Sequence, residues 1–286
     1  MRAFRQRLLV FLLSLGAYLC GQNLLYGVPP TIGVVTGESA LKTSEAWSAL
    51  VSFLKEEFEL TLRYQVFDGH RPLLKALKER WIDLALLDAA WFVREQSWIR
   101  PLLRTVMGGD TEYRVLLIVQ RNSLFYRTAD LRRFELFLKK PHEEMAGFYA
   151  PLAFLGHIVE RGSIRYLETF ESILRGVAYG EGNEIGAIPE SLWNQNRGSR
   201  TLEYLRILEV LPPVPTPFLV MRASEDEARF QFLRNTFASL HTLEKGRQVL
   251  QGISLSGFIA SELGKATLES LAEVVRQVDG SYGPPK

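Results

Sequence analysis

Residues 141–149, PHEEMAGFY, place two glutamates where a predicted strand passes into a predicted helix. The apolar run FELFL before them indicates the strand, and PLAFLGHIV after them indicates the helix. A loop of this kind can hold an anion, because backbone N–H groups at a helix start are free to donate. Glu143 and Glu144 oppose that role. They favour a cationic or amine-bearing ligand if they face a cleft; otherwise they are solvated charges or cap the helix.

Two further positions carry ionisable side chains where predicted strands end. His70 and Arg71 follow the strand TLRYQVF and begin a helix, where they either meet an anionic or carbonyl group or serve as ordinary capping residues. Asp88 ends the apolar run IDLALL, where an acid is unexpected. It either caps the helix that starts at Ala89 or contacts a ligand, since open α/β folds bind ligands at the carboxyl edge of the sheet.

Hydroxyl groups follow the first predicted strand, TIGVV. Thr36 and Ser39 lie in the next loop, beside the start of a helix in which Ser44 is predicted to be the cap. Hydroxyls beside a helix N-terminus are suitable donors to an anion. We therefore predict Thr36 and Ser39 as ligand contacts.

Catalytic chemistry has little support in the sequence. His142 and His157 have no Ser or Cys partner in their sequence context, and the four histidines lack metal-ligand spacing. Cys20 is the only cysteine, and it lies in the N-terminal segment. We expect no catalytic residue, no metal site, no cofactor and no internal disulfide.

The composition is that of a folded globular protein. The 286 residues are 47% hydrophobic and 23% charged, with a net charge of +2. Because no long basic run occurs, the sequence argues against nucleic-acid binding.

The N-terminus has the pattern of an export signal. Arg2, Arg5 and Arg7 precede an apolar run, Leu8–Leu19, that is short for a membrane span. Three outcomes stay open: a cleaved signal peptide, an uncleaved anchor, or lipidation at Cys20. Each predicts a periplasmic or cell-envelope protein.

Strand and helix patterns alternate after residue 28, which is typical of an α/β fold with parallel strands. Long strands at YRVLLIVQR, residues 113–121, and near PPVPTPFLVMR are natural crossings between two lobes. We predict a signal or anchor at 1–27, a first lobe at 28–115 and 213–286, and a second lobe at 116–212. The cleft between such lobes is the expected binding site.

Several segments, in order, resemble the periplasmic solute-binding proteins of phosphonate and phosphite ABC transporters. They are AWSALVSFLKEEF, LLKALKERWIDLALLDAAWFV, YRVLLIVQRNS, ILRGVAYGEGNEIGAI and LRILEVLPPVPTPFLVMR, within residues 30 to 260. The resemblance implies a type II periplasmic-binding fold, with mixed sheets joined by two crossover strands. It also implies a two-lobed, monomeric protein that closes on a small molecule and presents it to a membrane permease.

The sequence departs from that family at the expected ligand contacts. PHEEMAG replaces a Ser-Thr-Ser-Gly type loop, so Glu144, Met145 and Ala146 stand at the hydroxyl positions. His70 aligns with a pocket tyrosine of the family, and Asp88 with Ala89 replaces Gly-Pro. We predict a ligand site that combines the hydroxyl loop, the start of the helix at His70 and the other aligned positions. Its residues are Thr36, Ser39, His70, Arg71, Asp88, Ala89, Glu144 and Met145.

The sequence therefore predicts a non-enzymatic, exported solute-binding component of an ABC importer that acts by hinge closure. The alternative is a cell-envelope sensory or scaffold protein with a degenerate pocket and a membrane sensor protein as partner. Because carboxylates replace hydroxyls in the loop, we predict that simple phosphonates and phosphate bind with a Kd weaker than ~100 μM.

Overall fold

The computed structural model describes residues 28–36, 39–260 and 263–283. The predicted export segment, including Cys20, lies outside the described residues. Within these ranges the chain forms a mixed α/β structure with two main sheets. No helix in the described part of the chain is long and apolar enough to cross a membrane.

The strands are numbered in chain order. They are β1 (Thr31–Val35), β2 (Arg63–Phe67), β3 (Leu84–Leu87), β4 (Ile99–Val106), β5 (Glu112–Tyr113), β6 (Val115–Gln120), β7 (Glu135–Lys139), β8 (Ser163–Leu167), β9 (Glu184–Pro189), β10 (Leu205–Val210), β11 (Val214–Pro215), β12 (Phe218–Arg222) and β13 (Gly257–Ile259).

The α-helices lie between these strands. They are α1 (Ala40–Phe58), α2 (His70–Lys78), α3 (Ala89–Glu95), α4 (Ala150–Leu155), α5 (Phe170–Ala178), α6 (Glu190–Gln195), α7 (Arg200–Glu203), α8 (Glu227–Ser239), α9 (Glu244–Gly252) and α10 (Lys265–Tyr282). A π-helical turn, Met145–Tyr149, leads directly into α4 and is called the π turn below.

The first sheet has the strand order β13-β4-β12-β3-β1-β2. β1 runs parallel to β2 and β3, whereas β12 runs antiparallel to β3 and β4. The second sheet has the order β10-β6-β9-β7-β8, with β7 parallel to β8 and β9 and antiparallel pairs at β6. The predicted α/β class is correct, and the carboxyl ends of β1, β2 and β3 lie together at one edge of the first sheet.

One hydrophobic core cluster extends over both sheets. It joins α2 and α3 beside the first sheet to the π turn and α4 beside the second, and the buried face of α10 completes it. The lobe boundaries predicted from the sequence stay a prediction. The continuous core nevertheless means that the elements around the two sheets are packed against each other in this structure.

Helix α1 begins earlier than the sequence predicted. Ser39 is the N-cap, with its hydroxyl accepting from the Lys42 N–H at 3.5 Å. The prediction of Ser44 as the cap is wrong, because helical structure already begins at Ala40. The Ser44 hydroxyl instead bonds the Tyr64 hydroxyl at 2.8 Å.

The predicted strand at residues 113–121 is two strands. Tyr113 pairs with Val214 in the short β5–β11 ladder, whereas β6 pairs with β9 and β10. The chain changes partners at Arg114, which interrupts the strand. Sequence reading also missed β4, β8 and β13. β4 contains Pro101, which weakens a strand pattern, and β8 is a half-exposed edge strand.

Candidate functional site

Asp88 connects the elements beside the two sheets. It precedes α3, and its Oδ1 accepts from the Ala90 N–H at 2.9 Å and from the Met145 N–H of the π turn at 3.1 Å. Only 6% of its surface is exposed. Burial raises the pKa of Asp88, while His70 and the two backbone donors oppose the increase. The Asp88 carboxylate therefore occupies a position where the start of the π turn would offer an N–H group to an external anion.

The next amide of the π turn also lies beside a polar side chain. The Ala146 N–H lies near the Tyr113 side chain and opposes the increase in its pKa, and the charges of Asp88 and Glu144 also lie near this side chain. Burial, and then these two acids, raise the pKa of Tyr113 well above its usual value, so its hydroxyl stays protonated at neutral pH. The N–H groups of Met145 and Ala146, called the amide pair below, thus both lie beside polar side chains of the protein.

His70 fixes a second connection between the same elements. Its Nε2 accepts from the Asp88 N–H at 3.2 Å, so the ring proton lies on Nδ1. Nδ1 then donates to Glu143 Oε2 at 3.2 Å, and the His70 backbone N–H donates to the same oxygen at 3.2 Å. The Trp91 ring stacks on His70, and its Nε1 donates to the Glu143 carbonyl at 3.2 Å. The 141–149 loop is therefore held against the starts of α2 and α3.

Glu143 and Glu144 differ in their surroundings. Burial would raise the pKa of Glu143, but the hydrogen bonds from His70 and the charge of Lys139 outweigh it, and the pKa is lowered. Glu144 lies 3.5 Å from Lys139 Nζ, yet burial raises its pKa and Asp88 adds to that increase. Neither acid is a freely solvated loop charge. The loop approaches β7 closely at Gly147, where a Cβ would lie 2.5 Å from the Lys139 Cβ.

The structure brings five of the eight predicted site residues together. His70, Asp88 and Met145 are linked by hydrogen bonds, Ala89 is the buried first residue of α3, and Glu144 lies near Asp88. Their polar groups bond one another and the neighbouring residues Ala90, Lys139 and Glu143.

The other three predicted site residues do not contact this group of five. Thr36 follows β1, and its buried hydroxyl has no hydrogen-bond partner among the described residues. Ser39 serves α1 as its cap. Arg71 lines a cavity of about 550 Å³, called the Arg71 cavity.

The Arg71 cavity lies between the start of α2 and the 141–149 loop. Its lining comprises Asp68, Gly69, Arg71, Pro72, Trp91, Lys140, Pro141, His142, Glu143, Tyr282 and Gly283. Most of its charged groups have partners: Lys140 pairs with Glu168 at 2.7 Å and Glu143 with His70. Among the described residues, Asp68 and Arg71 form no close hydrogen bond or ion pair, although the charge of Asp68 contributes to the raised pKa of Lys140. Both side chains are exposed, so the cavity offers one free acid and one free base.

Sequence reasoning missed several residues of this region. Asp68 was within reach, because DG between a strand and a helix marks a turn at the carboxyl edge of the sheet. Tyr113 and Lys139 lie inside strands, where nothing in the local pattern separates them from ordinary strand residues.

The GEGNE segment at residues 180–184 has a structural role. Glu184 is 5% exposed and accepts from the Glu181 N–H at 2.7 Å and the Gly182 N–H at 2.8 Å. Its carboxylate is therefore satisfied by its own turn. Elsewhere in the described residues, no three His, Cys, Asp or Glu side chains come together in a way that could hold a metal ion.

Comparison with known proteins decides the family. A sequence model of the family described as "ABC transporter, phosphonate, periplasmic substrate-binding protein" matches residues 32–264. The chain belongs to this family. Its members are substrate-binding proteins of ABC importers rather than enzymes, which confirms the predicted solute-binding role and the non-enzymatic class. A search of curated proteins by sequence returned no match.

Solved structures of low sequence identity share the fold. XAC2383 from Xanthomonas citri, bound to chloride ion, has a TM-score of 0.75 at 18% identity, over 88% of this chain and 99% of that chain. PhnD1 from Prochlorococcus marinus, in complex with methylphosphonate, has a TM-score of 0.74 at 13% identity, over 87% and 98%. The periplasmic aliphatic sulphonate binding protein SsuA from Escherichia coli has a TM-score of 0.63 at 14% identity, over 90% and 94%. These likenesses confirm the type II periplasmic-binding fold.

Proposed function

We propose that this family member binds a small zwitterion in the Arg71 cavity and presents it to an ABC permease. The observation that carries the proposal is the pair of unpartnered charges, Asp68 and Arg71, on the wall of a cavity of about 550 Å³. An amine on the solute would meet Asp68, and an acidic group would meet Arg71. Because both side chains are exposed, each such contact contributes at most ~1 kcal/mol, so selection rests on meeting both ends of the solute at once.

Simple phosphonates and phosphate are poor candidates for the amide pair. The Met145 N–H already donates to Asp88, and the Ala146 N–H lies near the Tyr113 side chain. An incoming dianion would have to displace the Asp88 carboxylate and remain near it, at a repulsion of ~4 kcal/mol for unit charges 4 Å apart in a partly buried site. We therefore add a second reason for the predicted weak binding: besides repulsion by Glu143 and Glu144, the Asp88 carboxylate lies on the Met145 N–H.

A second function is favoured by the same contacts. Asp88 and Glu143 hold the π turn against α2 and α3 through hydrogen bonds within the chain. Polar groups that are engaged with one another in this way suit a cell-envelope sensory or scaffold component whose partner is a membrane sensor protein. Binding of zwitterions by the isolated chain distinguishes the two functions.

We also propose that the protein is exported to the periplasm or cell envelope. The family is periplasmic, and the basic and apolar residues at the N-terminus support export with cleavage, anchoring or lipidation. We propose a monomer that acts by hinge closure, with no nucleic-acid partner.

Calorimetry with matched probes tests the solute class. β-Alanine, taurine and 2-aminoethylphosphonate each carry an amine and an acid, whereas ethylphosphonate lacks the amine and ethylamine lacks the acid. We expect at least one zwitterion to bind at least threefold more tightly than both single-charge probes, a difference of ~0.65 kcal/mol. Equal or absent binding of all five probes would contradict the proposal and favour the sensory alternative.

Two variants localise the binding. Arg71→Gln should weaken zwitterion binding about threefold, because the acidic group of the solute loses the one Lys or Arg of the described cavity lining that forms no ion pair. Lys75→Gln is the matched control, because Lys75 also lies on α2, is exposed and does not line the cavity. The site is elsewhere if Arg71→Gln and Lys75→Gln bind the zwitterion with the same affinity.

A further inference from the structure

Helix α10 lies across the elements of both sheets. It packs on α3 beside the first sheet and on α4 and the π turn beside the second. Its buried residues Leu271, Val275 and Val278 belong to the core cluster that all of these elements share. A helix packed on both sides in this way resists their separation.

One carboxylate near the end of α10 has partners on both sides. Asp279 Oδ2 accepts from Arg94 of α3, in a short hydrogen bond. Asp279 Oδ1 lies 3.1 Å from His142 Nδ1 and accepts from the Tyr149 hydroxyl at 3.3 Å. His142 and Tyr149 belong to the 141–149 loop. Asp279 therefore joins α3, α10 and this loop.

Arg94 strengthens the same cluster. It donates to the Tyr149 hydroxyl, and its guanidinium lies 5.0 Å from the Tyr149 ring centroid and 5.2 Å from that of Trp91. Arg94 and Asp279 retain only 15% and 18% of their side-chain exposure. A partly desolvated ion pair with aromatic faces around the cation depends on all of its members, because removing one leaves a poorly solvated charge.

The backbone of the 141–149 loop also depends on the cluster. His142 has a φ of 65°, a left-handed conformation that is unfavourable for a residue with a side chain. Its ring is buried between Phe148 and Tyr149, at centroid distances of 4.7 and 6.0 Å, and it is fixed through Nδ1. Contacts to Tyr149 and Asp279 thus hold the residue that precedes Glu143 in the loop.

We propose that α10 is a detachable strap, fastened by Asp279, that keeps the elements of the two sheets together. Tyr282 and Gly283, at the end of the strap, form part of the wall of the Arg71 cavity. Release of the strap would therefore free the Arg94 end of α3 from α10 and open the cavity from the same side, while Asp88 still holds the start of α3 to the π turn. The strap does not depend on which solute the cavity takes.

Electron-electron distance measurements test the strap on the full chain without any ligand. Nitroxide labels at Lys75 of α2 and Arg175 of α5 report the separation of the two sides, because both side chains are exposed. The labels are attached to Lys75→Cys and Arg175→Cys, and Cys20→Ser removes the only other cysteine of the sequence. We expect Asp279→Ala to add a second population at longer distance, and the unsubstituted strap to give one population.

The control is on the same helix. Glu273 is exposed and pairs with Arg276 at 2.7 Å, so Glu273→Ala also breaks one ion pair but leaves both sides joined. We expect Glu273→Ala to retain the single population. The proposal is overturned if Asp279→Ala and Glu273→Ala give the same distance distribution.

A milder variant covers the case in which Asp279→Ala does not fold. Tyr149→Phe keeps the buried ring but removes the hydroxyl that contacts Arg94, His142 and Asp279. We expect roughly tenfold faster hydrogen exchange over residues 265–282 in this variant, with exchange in α1 unchanged. Unchanged exchange in the strap, or an equal increase in α1, would overturn the proposal.

Discussion

Asp88 and Asp279 both connect the elements of the two sheets, but they do so with different partners. Asp88 accepts from backbone N–H groups of α3 and the π turn, whereas Asp279 accepts from the Arg94 cation, a hydroxyl and an imidazole. Burial raises the pKa of Asp88, and the charges of His70 and Arg94 together with the two backbone donors offset the increase only in part. Asp88 thus uses neutral backbone donors and lies where a bound anion would accept the same hydrogen bond. Asp279 instead forms an ion pair, which fastens α10 to α3.

Loss of the Asp88 connection should have the largest effect on stability. Asp88→Ala removes the cap of α3 and leaves the buried Met145 N–H without its acceptor, so the free energy of unfolding should fall by ~2–4 kcal/mol. Urea denaturation measures this change. Asp226→Ala, which removes the cap of the exposed start of α8 and no other contact, should cost only about 1 kcal/mol. Equal losses in the two variants would mean that the contact to Met145 contributes nothing.

The two neighbouring glutamates should respond to pH with opposite signs. The pKa of Glu144 is raised in the fold, so its stabilising contribution is complete below its unfolded value of 4.5 and is lost as the pH rises through the folded pKa. Glu144→Gln should therefore become more stable relative to the wild type as the pH rises from 4.5 towards 7, by ~1.4 kcal/mol for each unit of pKa increase.

Glu143 provides the opposite case. Its pKa is lowered, so its contribution is present above 4.5 and is lost as the pH falls through the folded pKa. Glu143→Gln should be less stable than the wild type at pH 7, and the difference should shrink below pH 4.5. Urea denaturation across this range checks both variants. Parallel pH profiles would contradict the different surroundings assigned to the two acids.

Removal of both loop carboxylates should not create a phosphonate site. Glu143→Ser with Glu144→Ser restores hydroxyls to the loop but leaves Asp88 on the Met145 N–H, so we expect methylphosphonate binding to stay weaker than ~100 μM. The double variant should also lose about 1–2 kcal/mol of stability with the His70–Glu143 hydrogen bonds. Micromolar binding by this variant would mean that repulsion by the glutamates, and not Asp88, excludes the ligand.

The smallest expected effect concerns the start of α1. Ser39→Ala should cost ~1 kcal/mol because it removes the observed cap. Ser44→Ala should cost less, about 0.5 kcal/mol, because it removes one partly buried hydrogen bond to Tyr64. Thermal denaturation of the two single variants gives the order directly, and the reverse order would restore Ser44 as the cap.

The sequence predicted elements with a complete local pattern and missed those that depend on distant partners. Asp88 was predicted to be either a cap or a ligand contact because the apolar run LALL stops at it, and the structure has it as the cap of α3. Its bond to Met145 spans 57 positions and has no local signal. Asp279 is similar: on α10 it looks like an exposed acid, and only the packing of α3, α10 and the 141–149 loop gives it buried partners. β4 was missed because Pro101 weakens its strand pattern, and β13 was missed because three residues are too few to show one.

The central claim is that the Asp88 carboxylate occupies the place of an external anion at the π turn. Asp88→Ser tests it most directly, because serine retains the capping of α3 while removing the carboxylate from the Met145 N–H. Titration calorimetry with methylphosphonate should show binding weaker than ~100 μM for the wild type and at least tenfold tighter binding for Asp88→Ser. Micromolar binding by the wild type, or identical titrations for the two proteins, would contradict the account.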